Sequence, residues 1–329
     1  MAAHGWVAIG RNEGKRLELC LRTLERLGGG KIVYVDSGSQ DNSVAFARGI
    51  GAEVVELDMS TPFTAARSRN AGLERLLQLQ PDLDYVHFID GDCELLPDWI
   101  TAATQLLDAR PDVAVVAGRV LERYPKASIY NQLCQFDWDG ERRFGEVGAC
   151  GGIALMRVAA LRQIGGFNPR LIAGEEPELC VRLRERHWKI WRLDIAMCLH
   201  DAAMTRFSQW WTRVERAGHA YAEGFAMHGG APHFQWRDQV RRAWIWGGAL
   251  PLLAALGTLW LGWPALLLLL IYPAQALRLA LRPVPGYSFS VRALNGIFLM
   301  IARLGEFKGV LRYHWRKLLG RQPQLIEYK

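Results

Sequence analysis

Two aspartates separated by one glycine, Asp90-Gly91-Asp92, directly follow a short apolar segment of the chain. The apolar residues 85–89 predict a strand, and the carboxyl end of a strand is where an open α/β sheet binds its ligand. Carboxylate oxygens suit Mg²⁺ or Mn²⁺, and a glycine between them lets a diphosphate approach the backbone closely. Two acids in a turn are also common as solvated groups, so the elements that position them decide between these interpretations.

Short apolar segments alternate with helical patterns throughout the first half of the chain. The pattern predicts strands at residues 6–9, 31–35, 53–57, 85–89 and 113–116, and helices at residues 15–27, 40–49, 63–79 and 99–109. This alternation indicates an α/β fold with a mostly parallel, Rossmann-like sheet flanked by helices. The glycine motifs GxGxxG and GxxxxGK[ST] do not occur in the sequence, which argues against dinucleotide-binding and P-loop proteins.

Further motifs occur in the order that one known family shows. Over approximately residues 5–220 the sequence resembles the family 2 glycosyltransferases, which have the GT-A fold. The matching segments are Arg11-Asn12-Glu13, residues 35–43, residues 67–72, Asp90-Gly91-Asp92, Gly151-Gly152, Gly165-Gly166-Phe167 and residues 174–179. Two positions depart from the family's pattern, because Ser37 stands in place of an acid and Glu176 in place of an aspartate.

The resemblance implies an inverting transfer of a sugar from a nucleoside diphosphate sugar, assisted by Mg²⁺ or Mn²⁺. It implies that Asp92 ligates the metal directly and that Asp90, in the same metal site, contacts ribose or a metal-bound water. It also implies that His200 completes the metal site. A single histidine is as often structural, so both roles stay open for His200.

The resemblance also implies a donor-binding set. Asp36 would accept hydrogen bonds from a base or ribose, and Arg69 would pair with the diphosphate. Asn12 and Glu13 belong to the same expected set. Arg213 and Arg216 form a further candidate pair that could hold a diphosphate or a lipid-linked pyrophosphate; the alternative is that they belong to an amphipathic helix that packs on the domain.

Adjacent acids supply the candidate general base for the acceptor hydroxyl. By motif position Glu176 is favoured, while Glu175 stays an alternative. Repulsion between the two carboxylates would raise a carboxyl pKa toward a useful value. The same acids and Pro177 also suit the first turn of a helix at residues 177–186, and both interpretations can hold together.

Charge and hydropathy divide the chain unevenly. Residues 282–329 hold nine Lys/Arg and two Asp/Glu, so the net charge of +7 lies in this tail. The remaining residues are neutral, which argues against a nucleic-acid partner. Residues 243–277 contain no charged residue, and Gly262-Trp263-Pro264 divides them into two arms of roughly 18 residues, near the lower limit for crossing a membrane. The alternative is a pair of buried helices in a soluble domain.

These patterns predict a GT-A domain at residues 1–235, a hydrophobic membrane hairpin at residues 236–282 and a basic tail at residues 283–329. Within the tail, residues 290–313 predict an amphipathic helix at the membrane surface. Arginines flank both ends of the hairpin, which places them in the cytoplasm by the positive-inside rule. We therefore expect the catalytic domain on the cytoplasmic side of a bacterial inner membrane. Six cysteines without CxxC spacing fit reduced thiols there.

The functional prediction is a membrane-associated, metal-dependent inverting glycosyltransferase that acts in glycan or exopolysaccharide assembly. Its expected donor is a nucleoside diphosphate sugar, and its expected acceptor is lipid-linked. Three alternatives stay open: transfer onto a polyprenyl phosphate, a non-catalytic membrane-tethered protein that binds nucleotide sugars, and a soluble transferase. The sugar, the base and the oligomeric state are left open by the sequence.

Overall fold

The computed structural model describes residues 3–139, 143–230 and 235–320. The chain forms two compact units, of which the first comprises Met1–Tyr124 with Glu141–Ala202 and the second Pro125–Gly140 with Ala203–Lys329. The domain boundaries predicted at residues 235 and 282 rest on motifs, hydropathy and charge, not on compactness, and they stay a prediction. Residues 321–329 of the predicted basic tail lie outside the described residues.

A mixed β-sheet forms the centre of the first unit. Its nine strands among the described residues are β1 (His4–Gly10), β2 (Ile32–Asp36), β3 (Glu53–Glu56), β4 (Tyr85–Asp90), β5 (Cys93–Leu95), β6 (Val113–Glu122), β7 (Gly145–Val147), β8 (Ala154–Arg157) and β9 (Lys189–His200). The strand order is β3-β2-β1-β4-β8-β6-β9-β5, with β7 paired to β9. The first four strands are mutually parallel, whereas β8 runs antiparallel to both β4 and β6.

Helices cover this sheet and continue into the second unit. The first eight are α1 (Lys15–Leu27), α2 (Ser43–Gly49), α3 (Ala65–Leu79), α4 (Pro97–Ala109), α5 (Ile129–Asp139), α6 (Val158–Ile164), α7 (Glu175–Glu185) and α8 (Phe207–His228), of which α5 and α8 belong to the second unit. The predicted strands and helices of the first half are confirmed within a few residues. The strand predicted at residues 113–116 extends to Glu122, and β5, β7, β8 and β9 had not been predicted.

One glycine sets the distance between α3 and the sheet. A Cβ atom on Gly72 would lie 2.9 Å from Val35 Cγ2 and closer still to Val7 Cγ1. The helix backbone therefore rests directly on the side chains of β1 and β2, a contact that only glycine permits. This packing fixes Arg69, one turn earlier on α3, above the carboxyl edge of the sheet.

The register of the parallel strands brings two acids to that edge. Ile9 of β1 aligns with Asp90 of β4, and Gly10 aligns with Asp36 of β2. Because β1 lies between the other two strands, both aspartates end up at neighbouring strand ends, where ligands bind in such sheets. The predicted α/β fold with its acids at this edge is confirmed, although the sheet is mixed where a mostly parallel one was predicted.

The second unit is helical in its described part. After α8 come α9 (Arg237–Arg242), a π-helical segment (Ala243–Ala249), α10 (Leu250–Leu261), a 3₁₀ segment (Trp263–Leu270), α11 (Ile271–Leu281) and α12 (Phe289–Leu318). Gly262, with φ of 66°, makes the predicted break between the two apolar arms. The continuous stretches Arg237–Leu261 and Trp263–Leu281 are each long and apolar enough to cross a membrane, and only 11% of an apolar 18-residue window in each is buried.

Candidate functional site

Arg69 joins three acids from two other elements of the first unit. Its Nη2 lies 3.0 Å from Asp90 Oδ1, and its Nη1 lies 2.9 Å from Glu175 Oε1 and 2.7 Å from Glu176 Oε1. The arginine is 2% exposed. Burial acts to lower the pKa of Arg69, but Glu176, Asp90 and Glu175 outweigh it and raise that pKa. A permanent cation therefore ties α3 to the end of β4 and to the start of α7.

Three carboxylates around one guanidinium leave this cluster, the Arg69 cluster, with an excess of negative charge. Burial, followed by the neighbouring Glu175, raises the pKa of Glu176 above its ordinary value of 4.5, whereas Arg69 acts to lower it. The Glu175 side chain is 5% exposed and that of Glu176 is 13% exposed. Of the two acids, Glu176 is therefore the more accessible one and has a proton affinity raised toward neutral pH.

The two glutamates open α7, as the alternative interpretation of the sequence had it. Both lie in the first turn of this helix, which Gly174 enters with φ of 78°. Negative side chains are stabilising at a helix N-terminus. The structural interpretation of these acids and their membership of the Arg69 cluster thus hold together.

At Gly152 the backbone passes very close to the Arg69 cluster. A Cβ atom on this residue would lie 2.6 Å from Glu176 Oε1 and closer still to Arg69 Nη2. The neighbouring Gly151 has no atom within 4 Å of its own Cβ position. Of this glycine pair, Gly152 is the residue that must be glycine, because its backbone lies close to charged side chains.

A second group of potential ligands lies at the end of β9. Asp92, Cys93 and His200 offer ligand atoms that all lie within 4.8 Å of one another. His200 Nε2 lies 3.3 Å from Asp92 Oδ1, and the Cys93 thiol donates to the same oxygen over 3.5 Å. The antiparallel pairing of β5 with β9, which aligns Cys93 with His200, creates this proximity.

Two of the three groups in this second site suit a divalent cation. Burial, followed by the neighbouring Cys198, raises the pKa of the Cys93 thiol well above its ordinary value of 9.0. A neutral thiol is a poor ligand for Mg²⁺ or Mn²⁺, whereas a carboxylate and an imidazole suit Mn²⁺. Asp92 and His200 thus fit such an ion. Asp90, which the sequence analysis had counted in the metal site, does not belong to this group and pairs with Arg69.

The candidate donor-binding residues Asp36 and Asn12 shape one loop. Asp36 Oδ2 accepts hydrogen bonds from the backbone N–H groups of Gly38 and Ser39, at 2.9 and 2.8 Å. Asn12 Oδ1 accepts from Gln40 N at 2.7 Å, and Asn12 N donates to Ser39 Oγ at 2.8 Å. Two side chains therefore hold residues 37–40 at the carboxyl edge, a structural role that was not predicted from the sequence.

The remaining predicted residues have internal partners. Glu13 Oε2 lies 2.7 Å from Arg16 Nη2. Arg213 lies on α8 in the second unit, where its Nη2 contacts Asp137 Oδ2 at 2.7 Å. Arg216 follows one turn later on the same helix. The diphosphate-binding role expected of this arginine pair stays a prediction.

Residues 7–165 match the family model described as Glycosyl transferase family 2. The pre-mycofactocin glycosyltransferase of Mycobacterium tuberculosis is 26% identical over 310 residues, which are 89% of this chain and 62% of that protein. The succinoglycan biosynthesis protein ExoA of Rhizobium meliloti is 24% identical over 300 residues, covering 88% of this chain and 86% of that protein. The chain thus spans less than two thirds of the length of the mycobacterial relative and most of the length of the succinoglycan biosynthesis protein.

Solved structures share the fold. The mannosyltransferase PcManGT from Pyrobaculum calidifontis, solved in complex with GDP-Man and Mn²⁺, has a TM-score of 0.64 at 18% identity, over 96% of this chain and 88% of that one. TarS residues 1–349 of S. aureus, in complex with UDP-GlcNAc, has a TM-score of 0.52 at 14% identity, over 98% and 93%. The predicted GT-A architecture is confirmed by these neighbours.

Proposed function

We propose that this chain, whose residues 7–165 match glycosyl transferase family 2, is a glycosyltransferase that moves a sugar from a nucleoside diphosphate sugar to an acceptor hydroxyl with inversion. The observation that carries the proposal is the Arg69 cluster, in which one cation binds both Asp90 of the Asp-Gly-Asp motif and the candidate base Glu176. It supports a single reaction centre built from α3, β4 and α7.

Glu176 is the proposed general base. Its carboxylate takes the proton from the acceptor hydroxyl while that oxygen attacks the anomeric carbon and the bond to the diphosphate breaks. One observation supports Glu176 over Glu175: its side chain is the more exposed of the two acids. Its raised pKa makes it a better proton acceptor than an ordinary glutamate.

Asp92 and His200 are the proposed holders of Mg²⁺ or Mn²⁺. Such an ion, when bound, would neutralise charge on the leaving nucleoside diphosphate. The Mn²⁺ in the PcManGT complex, whose fold this chain shares, supports the proposal. Arg69 orients Asp90 and Glu176 around the same centre, and its positive charge limits the repulsion between the three acids.

Donor binding is proposed at the loop of residues 37–40. Asp36 and Asn12 hold this loop in place, and we propose that they position it for a base or ribose. Glu13 lies next to Asn12 in the chain and is proposed to line the same region. Arg213 and Arg216 are proposed to bind a diphosphate or a lipid-linked pyrophosphate.

A lipid-linked acceptor and a membrane location complete the proposal. The two helices that could cross a membrane and the relative named for succinoglycan biosynthesis support a role in glycan or exopolysaccharide assembly. The catalytic domain would lie on the cytoplasmic side. Transfer directly onto a polyprenyl phosphate is the second candidate, because the same apolar helices would bring such a lipid close.

A donor panel tests the proposal. The full chain in vesicles is incubated with GDP- and UDP-sugars and Mn²⁺, and release of the nucleoside diphosphate is measured, with Asp92→Ala as the inactive control. Turnover of one donor that Asp92→Ala abolishes is the expected result. Binding of a donor without turnover in the presence of polyprenyl phosphate and lipid-linked glycans would favour a non-catalytic protein, and the absence of any donor binding would contradict the proposal.

A further inference from the structure

Helix α12 has three different faces within the second unit, and the first packs against α8. A Cβ atom on Gly309 would lie 2.7 Å from His219 N, and one on Gly218 would lie 2.6 Å from Glu306 Cα. Glycines thus bring the two helix backbones into contact from both sides, an arrangement that small residues permit. This face of α12 is fully occupied by protein.

The second face of α12 lies on the apolar hairpin, defined here as residues 237–281. A Cβ atom on Gly296 would lie 2.6 Å from Ala276 O, near the end of the hairpin, and one on Gly248, near its start, would lie 2.6 Å from Phe307 Cζ. The start and the end of a hairpin lie at the same side, opposite its tip at Gly262. Helix α12 therefore lies across the open end of the hairpin, where arginines flank both arms.

The third face of α12 carries an apolar ridge, here called the open ridge. Ile297, Leu304, Leu311 and Leu318 recur every seven residues, and Trp315 lies between the last two. Since seven residues make almost two helical turns, these side chains form one line about 30 Å long. All five side chains are exposed: Ile297 to 51%, Leu304 to 41%, Leu311 to 43%, Trp315 to 63% and Leu318 to 78%. An exposed apolar line of this length marks a contact surface.

Cations border the C-terminal half of the open ridge. Leu311, Trp315 and Leu318 line an open groove of about 1050 Å³ together with Lys308, Arg312 and Lys317. One carboxylate faces them, because Glu215 of α8 lies 2.8 Å from Lys308 Nζ and 2.9 Å from Arg312 Nη1. Lys317 also lines the groove and Arg316 precedes it in the chain, so cations outnumber acids along this part of the ridge.

We propose that the open ridge docks on an anionic membrane surface, with its apolar side chains among the acyl chains and the bordering cations at the phosphate groups. Two observations support this occupant. The ridge adjoins the open end of a hairpin that is itself apolar enough for a membrane, and its cations complement anionic headgroups. A second copy of the ridge would bring like charges together. The inference rests on the membrane association included in the proposed function.

An environment-sensitive label on the ridge tests the proposal. The fluorophore NBD is attached to Leu311→Cys in the full chain, with Cys150→Ser to remove the one partly exposed native thiol. Leu19→Cys, on the exposed side of α1 at 45% exposure, is the matched control. Both proteins are reconstituted in phosphatidylcholine vesicles with and without phosphatidylglycerol, and flotation is measured separately.

We expect a blue-shifted emission at position 311 that brominated lipids quench, whereas the label at position 19 stays exposed to water. The blue shift should be larger with phosphatidylglycerol, and Lys317→Glu should reduce it. Water-like emission at position 311 in floating vesicles would overturn the proposal. A blue-shifted emission at position 311 that depends only on protein concentration in detergent would also overturn the proposal, because it would indicate that a second copy of the chain covers the ridge. Loss of flotation would contradict membrane association. The donor panel measures sugar transfer independently, so a failure of the docking proposal can be distinguished from a failure of the proposed function.

Discussion

Arg69 and Glu176 form a 2.7 Å ion pair that links the helix following β3 to the helix that carries the candidate base. The same guanidinium reaches Asp90 at 3.0 Å. The candidate base and the Asp-Gly-Asp motif, which lie 86 positions apart in the chain, are therefore held at a fixed distance by one buried cation. Precise placement of reacting groups of this kind accounts for a large share of enzymatic rate enhancement.

Arg69→Lys tests this bridging role. A lysine keeps the positive charge but presents a single ammonium in place of a fork that can contact three acids. We expect kcat to fall on the order of 100-fold, with a smaller change in the KM for the donor. Steady-state kinetics with the identified donor measures both. Unchanged kcat in a folded variant would show that the bridge is not needed.

Gly152→Ala tests the close approach of the backbone to the Arg69 cluster. The added methyl group would meet Arg69 and Glu176, so the carboxylate must move, and activity should fall by about 10- to 100-fold. Gly151→Ala is the matched control, because its methyl group meets no atom within 4 Å, and it should keep wild-type activity. Equal activity of both variants would contradict the assignment of Glu176 to the reaction centre.

The pH dependence of transfer follows from the pKa of Glu176. A general base works in its deprotonated form, and burial and Glu175 raise the pKa of this carboxyl above 4.5. We therefore expect kcat to be low at acidic pH, to rise as the pH passes through the raised pKa and to level off above it. Initial rates at saturating donor across the pH range measure this. A rate already constant from pH 5 upward would indicate a base with an ordinary pKa.

Asp92→Asn and His200→Ala test the metal site, with Cys93→Ser as the matched control. Loss of the carboxylate charge or of the imidazole should weaken Mn²⁺ binding by about 10-fold or more, measured by calorimetry on the donor-free protein. Cys93→Ser should change the affinity little, since the neutral thiol is not an expected ligand. A large effect of Cys93→Ser with none of His200→Ala would reverse the assignment.

Gly72→Ala tests the packing that positions α3. The methyl group would press on Val7 and Val35, and such overpacking costs about 1–3 kcal/mol in the free energy of unfolding. Urea unfolding followed by circular dichroism measures it. Gly49→Ala, whose methyl group meets no atom within 4 Å, should leave the free energy of unfolding within about 0.5 kcal/mol of wild type. Equal stabilities would show that α3 can shift away from the sheet.

The sequence predicts the parallel half of the fold well because its signals are local. The strands that end at Asp36 and Asp90 are short apolar segments, and the acids follow directly. Both the strands and the sheet edge where the acids lie can therefore be recognised from the sequence alone. Resemblance to a family then identified Arg69, Glu175 and Glu176. Their convergence on one another required the packing of α3 and α7 against the sheet.

The antiparallel part of the sheet was not predictable in the same way. Cys93 and His200 become neighbours only because β5 pairs with β9, over a hundred residues later in the chain. Such non-local pairing has no periodicity that one segment can display. The loop-holding role of Asp36 was missed for a similar reason, since its partners are backbone groups whose positions depend on the fold.

Comparison of Glu176→Gln with Glu175→Gln is the most direct test of the proposed mechanism. Both variants keep side-chain size and remove one charge from the Arg69 cluster. Donor binding and sugar transfer are measured for each in vesicles, with the donor and acceptor found in the panel. The account predicts that Glu176→Gln binds the donor normally and loses transfer by about 100-fold or more, while Glu175→Gln keeps most of it. Near-normal transfer by Glu176→Gln would contradict the proposed base.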